Sequence, residues 1–122
     1  MAKSVLVVDD SGSFRTVVNL TLKQAGYEVT EAKDGQEAVE KIQAGKFNLV
    51  ICDLNMPNLD GLAFTRKIKA MPAYKFTPVL MLSTETQDGK KAEGKAAGVS
   101  AWLSKPFQPS RLLYAVQAIC PA

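Results

Sequence analysis

Hydrophobic positions along the chain alternate between two rhythms. Short, nearly unbroken apolar runs at 5–8, 47–52 and 79–82 have the pattern of strands covered on both faces. The stretches between them carry apolar residues at helical spacing. Over 13–25 these are Phe14, Val17, Val18, Thr21 and Leu22, and the pattern stops at Gly26, a residue suited to a helix C-terminus. Residues 27–32 form a second strand, more polar and therefore nearer a sheet edge. Asp34 suits the N-cap of a helix that runs to Ala44 and closes at Gly45. A loop over 53–60 leads into a helix at 61–71, and Pro78 opens the fourth strand. A helix at 86–97 and a strand at 101–103 follow. The last helix starts near Pro109, where proline fits the first turn, with Leu112, Leu113, Val116 and Ile119 on one face.

Five strand–helix units predict an α/β fold, a parallel sheet wrapped by helices on both sides. The 122 residues suit one domain spanning 1–122, large enough to bury a core without disulfides or metal clips. Composition narrows the chemistry. The chain has no histidine, which excludes His-based catalytic dyads, and its two cysteines, Cys52 and Cys120, lack zinc-ligand spacing. They are expected to be ordinary thiols, with Cys52 in the core. The net charge of +3 is mild, and Lys90, Lys91 and Lys95 fit a solvated helix face better than a nucleic-acid surface, which wants more charge with aromatics among it. No apolar run approaches the roughly 20 residues of a membrane span. Acid as early as Asp9 and Asp10 argues against a secretory leader, so the cytoplasm is the expected compartment.

In open parallel sheets, ligands bind beyond the C-terminal ends of the strands. Strand 1 ends in Asp9-Asp10, strand 3 in Asp53, strand 4 in Ser83-Thr84, and strand 5 precedes Lys105-Pro106. Three carboxylates, a hydroxyl and an amine would then share one pocket. Carboxylates held together require raised pKa values or a cation, and an all-oxygen ligand set that keeps waters suits Mg²⁺. Held by Asp10 and Asp53, such a metal leaves a position for a phosphoryl oxygen. Lys105 adds a point charge, Ser83 a hydrogen-bond donor, and Asp53 a nucleophile for an acyl phosphate. Taken singly each residue has a plainer use. Asp9-Asp10 or Ser83 would serve as helix caps, Asp53 as a loop acid, and Lys105 as a surface lysine.

Four segments together resemble the receiver domain of bacterial two-component response regulators, and more narrowly its stand-alone chemotaxis members of the CheY type. They are 5–10 (VLVVDD), 53–62 (DLNMPNLDGL), 78–85 (PVLMLSTE) and 105–107 (KPF), and the resemblance runs over essentially the whole chain. It implies a doubly wound (βα)5 sandwich with strand order 2-1-3-4-5, the flavodoxin-like arrangement. It implies Asp53 as phosphoacceptor, Asp10 as a direct Mg²⁺ ligand, Asp9 acting mostly through water, and the backbone carbonyl of Asn55 as a further ligand. Ser83 matches the hydroxyl that swings toward the phosphoryl group and Lys105 the lysine that pairs with it. Asn55 and Glu85 match positions that tune acyl-phosphate lifetime, and a short lifetime is expected. The implied donor is a phosphohistidine on a CheA-like sensor kinase. The implied target is a protein such as the flagellar motor switch, with no DNA or membrane partner and the chain acting as a monomer.

Trp102 departs from the pattern, since the chemotaxis receivers usually carry tyrosine there. Gly89 and Gly94 each cost a helix interior about 1 kcal/mol against alanine, so helix 4 is expected to be soft. Lys90, Lys91, Lys95, Trp102 and Arg111 are the candidates for an output face made by helix 4, strand 5 and helix 5. Three alternatives stand beside this. One is an aspartate-nucleophile phosphatase, which wants an acid where Asn55 stands. Another is a flavodoxin-like cofactor binder, faintly echoed by Ser11-Gly12-Ser13. The last is a receiver that acts as a phosphate sink or on a non-flagellar target.

Overall fold

The alternating pattern is realised as five strands and five α-helices in strict succession. The computed structural model describes residues 2–56, 59–84 and 91–122. In order these form β1 (Ser4–Val8), α1 (Gly12–Gln24), β2 (Glu28–Ala32), α2 (Gly35–Ala44), β3 (Leu49–Asp53), α3 (Gly61–Lys69), a 3-10 turn (Pro72–Tyr74), β4 (Val79–Thr84), α4 (Lys91–Ala97), β5 (Ala101–Lys105) and α5 (Pro109–Ile119). All strands pair in parallel, in the order β2-β1-β3-β4-β5 expected from the resemblance. The polar strand β2 lies at an edge.

Side chains alternate between the faces of each strand, which divides the core into two layers. Leu6, Val8, Val50, Cys52, Val79 and Met81 face α2, α3 and α4 and pack with Ala38, Ile42, Phe64, Ile68 and Ala97. Val5, Val7, Leu49, Ile51, Leu80, Leu82 and Leu103 face α1 and α5 and meet Val18, Leu22, Leu112 and Val116. Both cysteines are buried free thiols, and burial raises the Cys52 thiol well above its ordinary range. No helix of the described residues is long and apolar enough to cross a membrane.

Short polar side chains start α1, α2 and α3. Ser11, Asp34 and Asp60 accept the backbone N–H of Phe14, Glu37 and Ala63, satisfying donors that a first turn leaves open. Gly26 follows α1 at φ +96°, a left-handed conformation that side chains resist. The helix expected over 61–71 ends at Lys69 and gives way to the 3-10 turn, because Pro72 cannot continue the hydrogen-bond ladder. Of the helix expected over 86–97, Lys91–Ala97 is described; Glu85, Gly89 and Lys90 lie outside the described residues.

The strands run further toward their C-terminal ends than the apolar runs suggest. Asp53 pairs with Leu82 and Ser83 with Ser104, so polar residues close the ladders. Asp53 and Lys105 are therefore strand-terminal residues rather than loop residues.

Gly61 is held against the end of β3. A Cβ there would stand 2.5 Å from the Asp53 carbonyl oxygen and 2.8 Å from the Met81 sulfur. Gly61→Ala should lower stability by about 1–3 kcal/mol through overpacking. Gly12→Ala, whose Cβ meets only Arg15 Nη2 at 3.7 Å, should be neutral or gain up to about 1 kcal/mol from helix propensity. Urea unfolding midpoints check the contrast.

Candidate functional site

The adjacent ends of β1 and β3 bring Asp9, Asp10 and Asp53 together. One carboxylate oxygen from each lies within 4.8 Å of the others. Asp9 and Asp53 are buried, while Asp10 stands at the exposed rim. Both Asp9 oxygens are engaged: Oδ1 accepts the Ser11 N–H at 2.9 Å, and Oδ2 accepts from Lys105 Nζ at 2.8 Å. The same ammonium is 3.3 Å from Asp53 Oδ2 and 4.1 Å from the centroid of the Phe14 ring.

Burial raises the Asp53 carboxyl above its ordinary value, and the Asp9 charge adds to the rise. Lys105 and the Asn55 backbone N–H act the other way. Three carboxylates against one close ammonium leave negative charge over, and every donor is oxygen. The donor set thus fits a hard divalent cation such as Mg²⁺.

Ser83 is fully buried at the end of β4. Among the described residues its hydroxyl accepts a hydrogen bond from Trp102 Nε1 of β5. The indole reaches this position by lying across α4 at Gly94, where a Cβ would overlap ring atom Cζ3. Gly94 therefore has a packing role: it leaves room for the inward ring. The sequence suggested softness, because a helical glycine looks the same whether it loosens a helix or admits a neighbour.

The candidate output residues also meet. A hollow of about 540 Å³ is lined by Lys91, Trp102, Phe107 and Arg111, and a smaller one by Lys91, Lys95 and Trp102. Lys90 and Glu85 lie outside the described residues, and Asn55 is exposed beside Asp53. A larger groove, about 720 Å³, lies at the opposite sheet edge among Phe47, Asn48, Phe76 and Pro78, away from the carboxylates.

Sequence reasoning missed two neighbours of the site. Arg15 donates from Nη1 to the Asp9 carbonyl at 2.6 Å and from Nε to Glu31 at 3.1 Å, while Asn19 bonds the other Glu31 oxygen at 2.7 Å. A cation so near the start of α1 opposes the helix dipole, and that anomaly was the available signal. Phe14, placed among the apolar positions of α1, instead offers its ring to Lys105.

Residues 5–117 match the profile of the response regulator receiver domain. The chain is 39% identical over 118 residues to protein PilG of Pseudomonas aeruginosa, covering 97% of this chain and 87% of that protein. It superposes on the Vibrio cholerae chemotaxis response regulator CheY4 with a TM-score of 0.93 and 49% identity, over 98% of this chain and 99% of that one. The receiver domain of the Pseudomonas aeruginosa sensor histidine kinase PA1611, solved with a magnesium ion coordinated in its active-site cleft, gives a TM-score of 0.89 at 28% identity, with each chain fully covered.

Two outcomes test the geometry. The raised Asp53 value means that the folded chain holds this proton more tightly than the unfolded chain. Stability should fall as pH rises from the ordinary aspartate value near about 4 through the raised one, and stay lower above it. Without divalent metal, Asp53→Asn should therefore be more stable than the native chain at pH 7, with the advantage shrinking below about pH 4. Urea midpoints at both pH values decide it. Gly94→Ala should expel the indole, shift Trp102 emission to the red, and cost about 1–3 kcal/mol; unchanged emission would place the ring elsewhere.

Proposed function

Because the chain belongs to the response regulator receiver domain family, we propose that it accepts a phosphoryl group on Asp53 from a phosphohistidine of a sensor kinase. The observation that carries this is the carboxylate trio, within 4.8 Å, with the Lys105 ammonium lying between Asp9 and Asp53. The family is a signalling switch rather than an enzyme acting on other substrates.

A carboxylate oxygen of Asp53 attacks phosphorus, forming a P–O bond as the P–N bond of the donor breaks. The electron pair of that bond stays on the imidazole nitrogen of the departing donor. Such transfers need positioning and charge stabilisation above all. Asp10, Asp53 and the Asn55 backbone carbonyl would hold Mg²⁺, with Asp9 acting through water, and the ion would supply positive charge to offset that of the phosphoryl oxygens. Lys105, already 3.3 Å from Asp53, pairs with a phosphoryl oxygen as a compact cation.

Ser83 accepts from Trp102 and keeps its own O–H to donate to the phosphoryl group. As that hydroxyl turns, the indole loses or changes its partner, and α4 follows through the seat at Gly94. The change emerges on the α4–β5–α5 face. There Lys91, Lys95 and Arg111 favour an acidic partner segment, and Lys90, next to Lys91 in the sequence, adds to that charge. Likeness to CheY4 supports a CheA-like donor and a chemotaxis target such as the flagellar motor switch. Asn55 and Glu85 set a short acyl-phosphate lifetime. The chain acts as a monomeric receiver in the cytoplasm.

Incubation with Mg²⁺ and a small phosphoryl donor should add one phosphoryl group by intact mass, and none to Asp53→Asn or without Mg²⁺. Trp102 fluorescence should change in step and recover as the adduct hydrolyses. A native chain that stays unmodified while folded would refute the phosphoacceptor assignment.

A further inference from the structure

Among the described residues the Lys105 ammonium meets two carboxylates and one group that is not a carboxylate. Its nitrogen lies 4.1 Å from the centroid of the Phe14 ring, well inside the reach of a cation–π contact. The lysine side chain is only 12% exposed, so the contact is partly shielded from water, where such contacts gain strength. The ring is itself held. It meets Phe107 with centroids 5.9 Å apart and planes inclined at 47°, an arrangement aromatic pairs favour. Phe14 stands in the first turn of α1, just past the Asp9-Asp10 loop, and Phe107 just past β5. The pair thus joins the two segments that carry Asp9 and Lys105.

A lysine in this pocket faces a conflict. Its strongest partner, Asp9 at 2.8 Å, belongs to the same trio that fits a divalent cation. An ammonium fixed on that carboxylate competes with the metal, and one released from it is drawn into water, where ammonium is strongly hydrated. An aromatic face attracts the ammonium without occupying a carboxylate oxygen. We propose that Phe14, braced by Phe107, is a positioning residue that seats the Lys105 ammonium beside Asp53 while a divalent cation takes the carboxylates. This rests on the phosphoacceptor reading for its use, though the seat is a property of the metal-free chain as well.

A double-mutant cycle with Phe14→Leu and Lys105→Met tests it, read by urea unfolding without metal and by Mg²⁺ affinity from Trp102 fluorescence. With Lys105 present, the leucine variant should shift the folding equilibrium by an extra factor of about two to thirty, the worth of a cation–π contact. It should also weaken Mg²⁺ binding, as the ammonium falls back on Asp9. With methionine at 105, neither extra effect should appear. Phe14→Trp, which keeps an aromatic face, should restore both. Equal losses in the two Lys105 backgrounds would overturn the seat and leave Phe14 as packing alone. If the leucine variant does not fold, Phe14→Met takes its place in the cycle. Coupling that persists in a native chain taking no phosphoryl group would uphold the seat and refute the phosphoacceptor reading instead.

Discussion

Like charges crowded at the carboxyl edge of the sheet set the terms for everything around them. Asp9, Asp10 and Asp53 stand close together, two of them buried, in a region where water screens little. Compensation arrives from several directions. Lys105 reaches over from β5, two positions along the sheet from β3. The Ser11 and Asn55 amides donate to the carboxylates, and Arg15 grips the Asp9 carbonyl from α1. The compensation is incomplete at Asp53, whose carboxyl stays raised by burial and by Asp9. That uncompensated carboxylate charge suits a divalent cation.

The distance between β3 and β5 explains why the cation is a lysine. Its long stem lets the ammonium reach the carboxylates. The same length would let the ammonium wander, and the Phe14 ring limits that freedom. The site is thus tied to α1 on one side. Through the Ser83–Trp102 hydrogen bond and the indole lying over Gly94, it is tied to α4 on the other. A change at Asp53 therefore has a short mechanical route to the face that carries Lys91, Lys95 and Arg111.

Much of this arrangement was legible beforehand. Strand and helix periods placed every α-helix and strand, and polarity put β2 at an edge. Asp34 and Gly45 bounded α2 as expected. The strand-end residues Asp9, Asp10, Asp53, Ser83 and Lys105 were found because a parallel sheet gathers such ends on one side. Strand ends were misjudged by one residue at Asp53 and two at Lys105, since apolar runs stop before the hydrogen-bond ladder does. The packing of Trp102 against Gly94 was missed because Trp102 comes from another element. Arg15 and Phe14 were overlooked for the same reason, their partners Glu31 and Lys105 being remote in the chain.

The sequence by itself determined the order of elements, their caps and the set of groups at the carboxyl edge. Those properties depend on periodicity and on interactions within a few residues, which a linear pattern records. Only the tertiary structure decided which groups pair: Lys105 with Asp9 and Asp53, Trp102 with Ser83 over Gly94, and the ammonium with the Phe14 face. Those choices turn on ångström-scale distances between elements, fixed jointly by sheet register, helix packing and burial, and no local pattern encodes them.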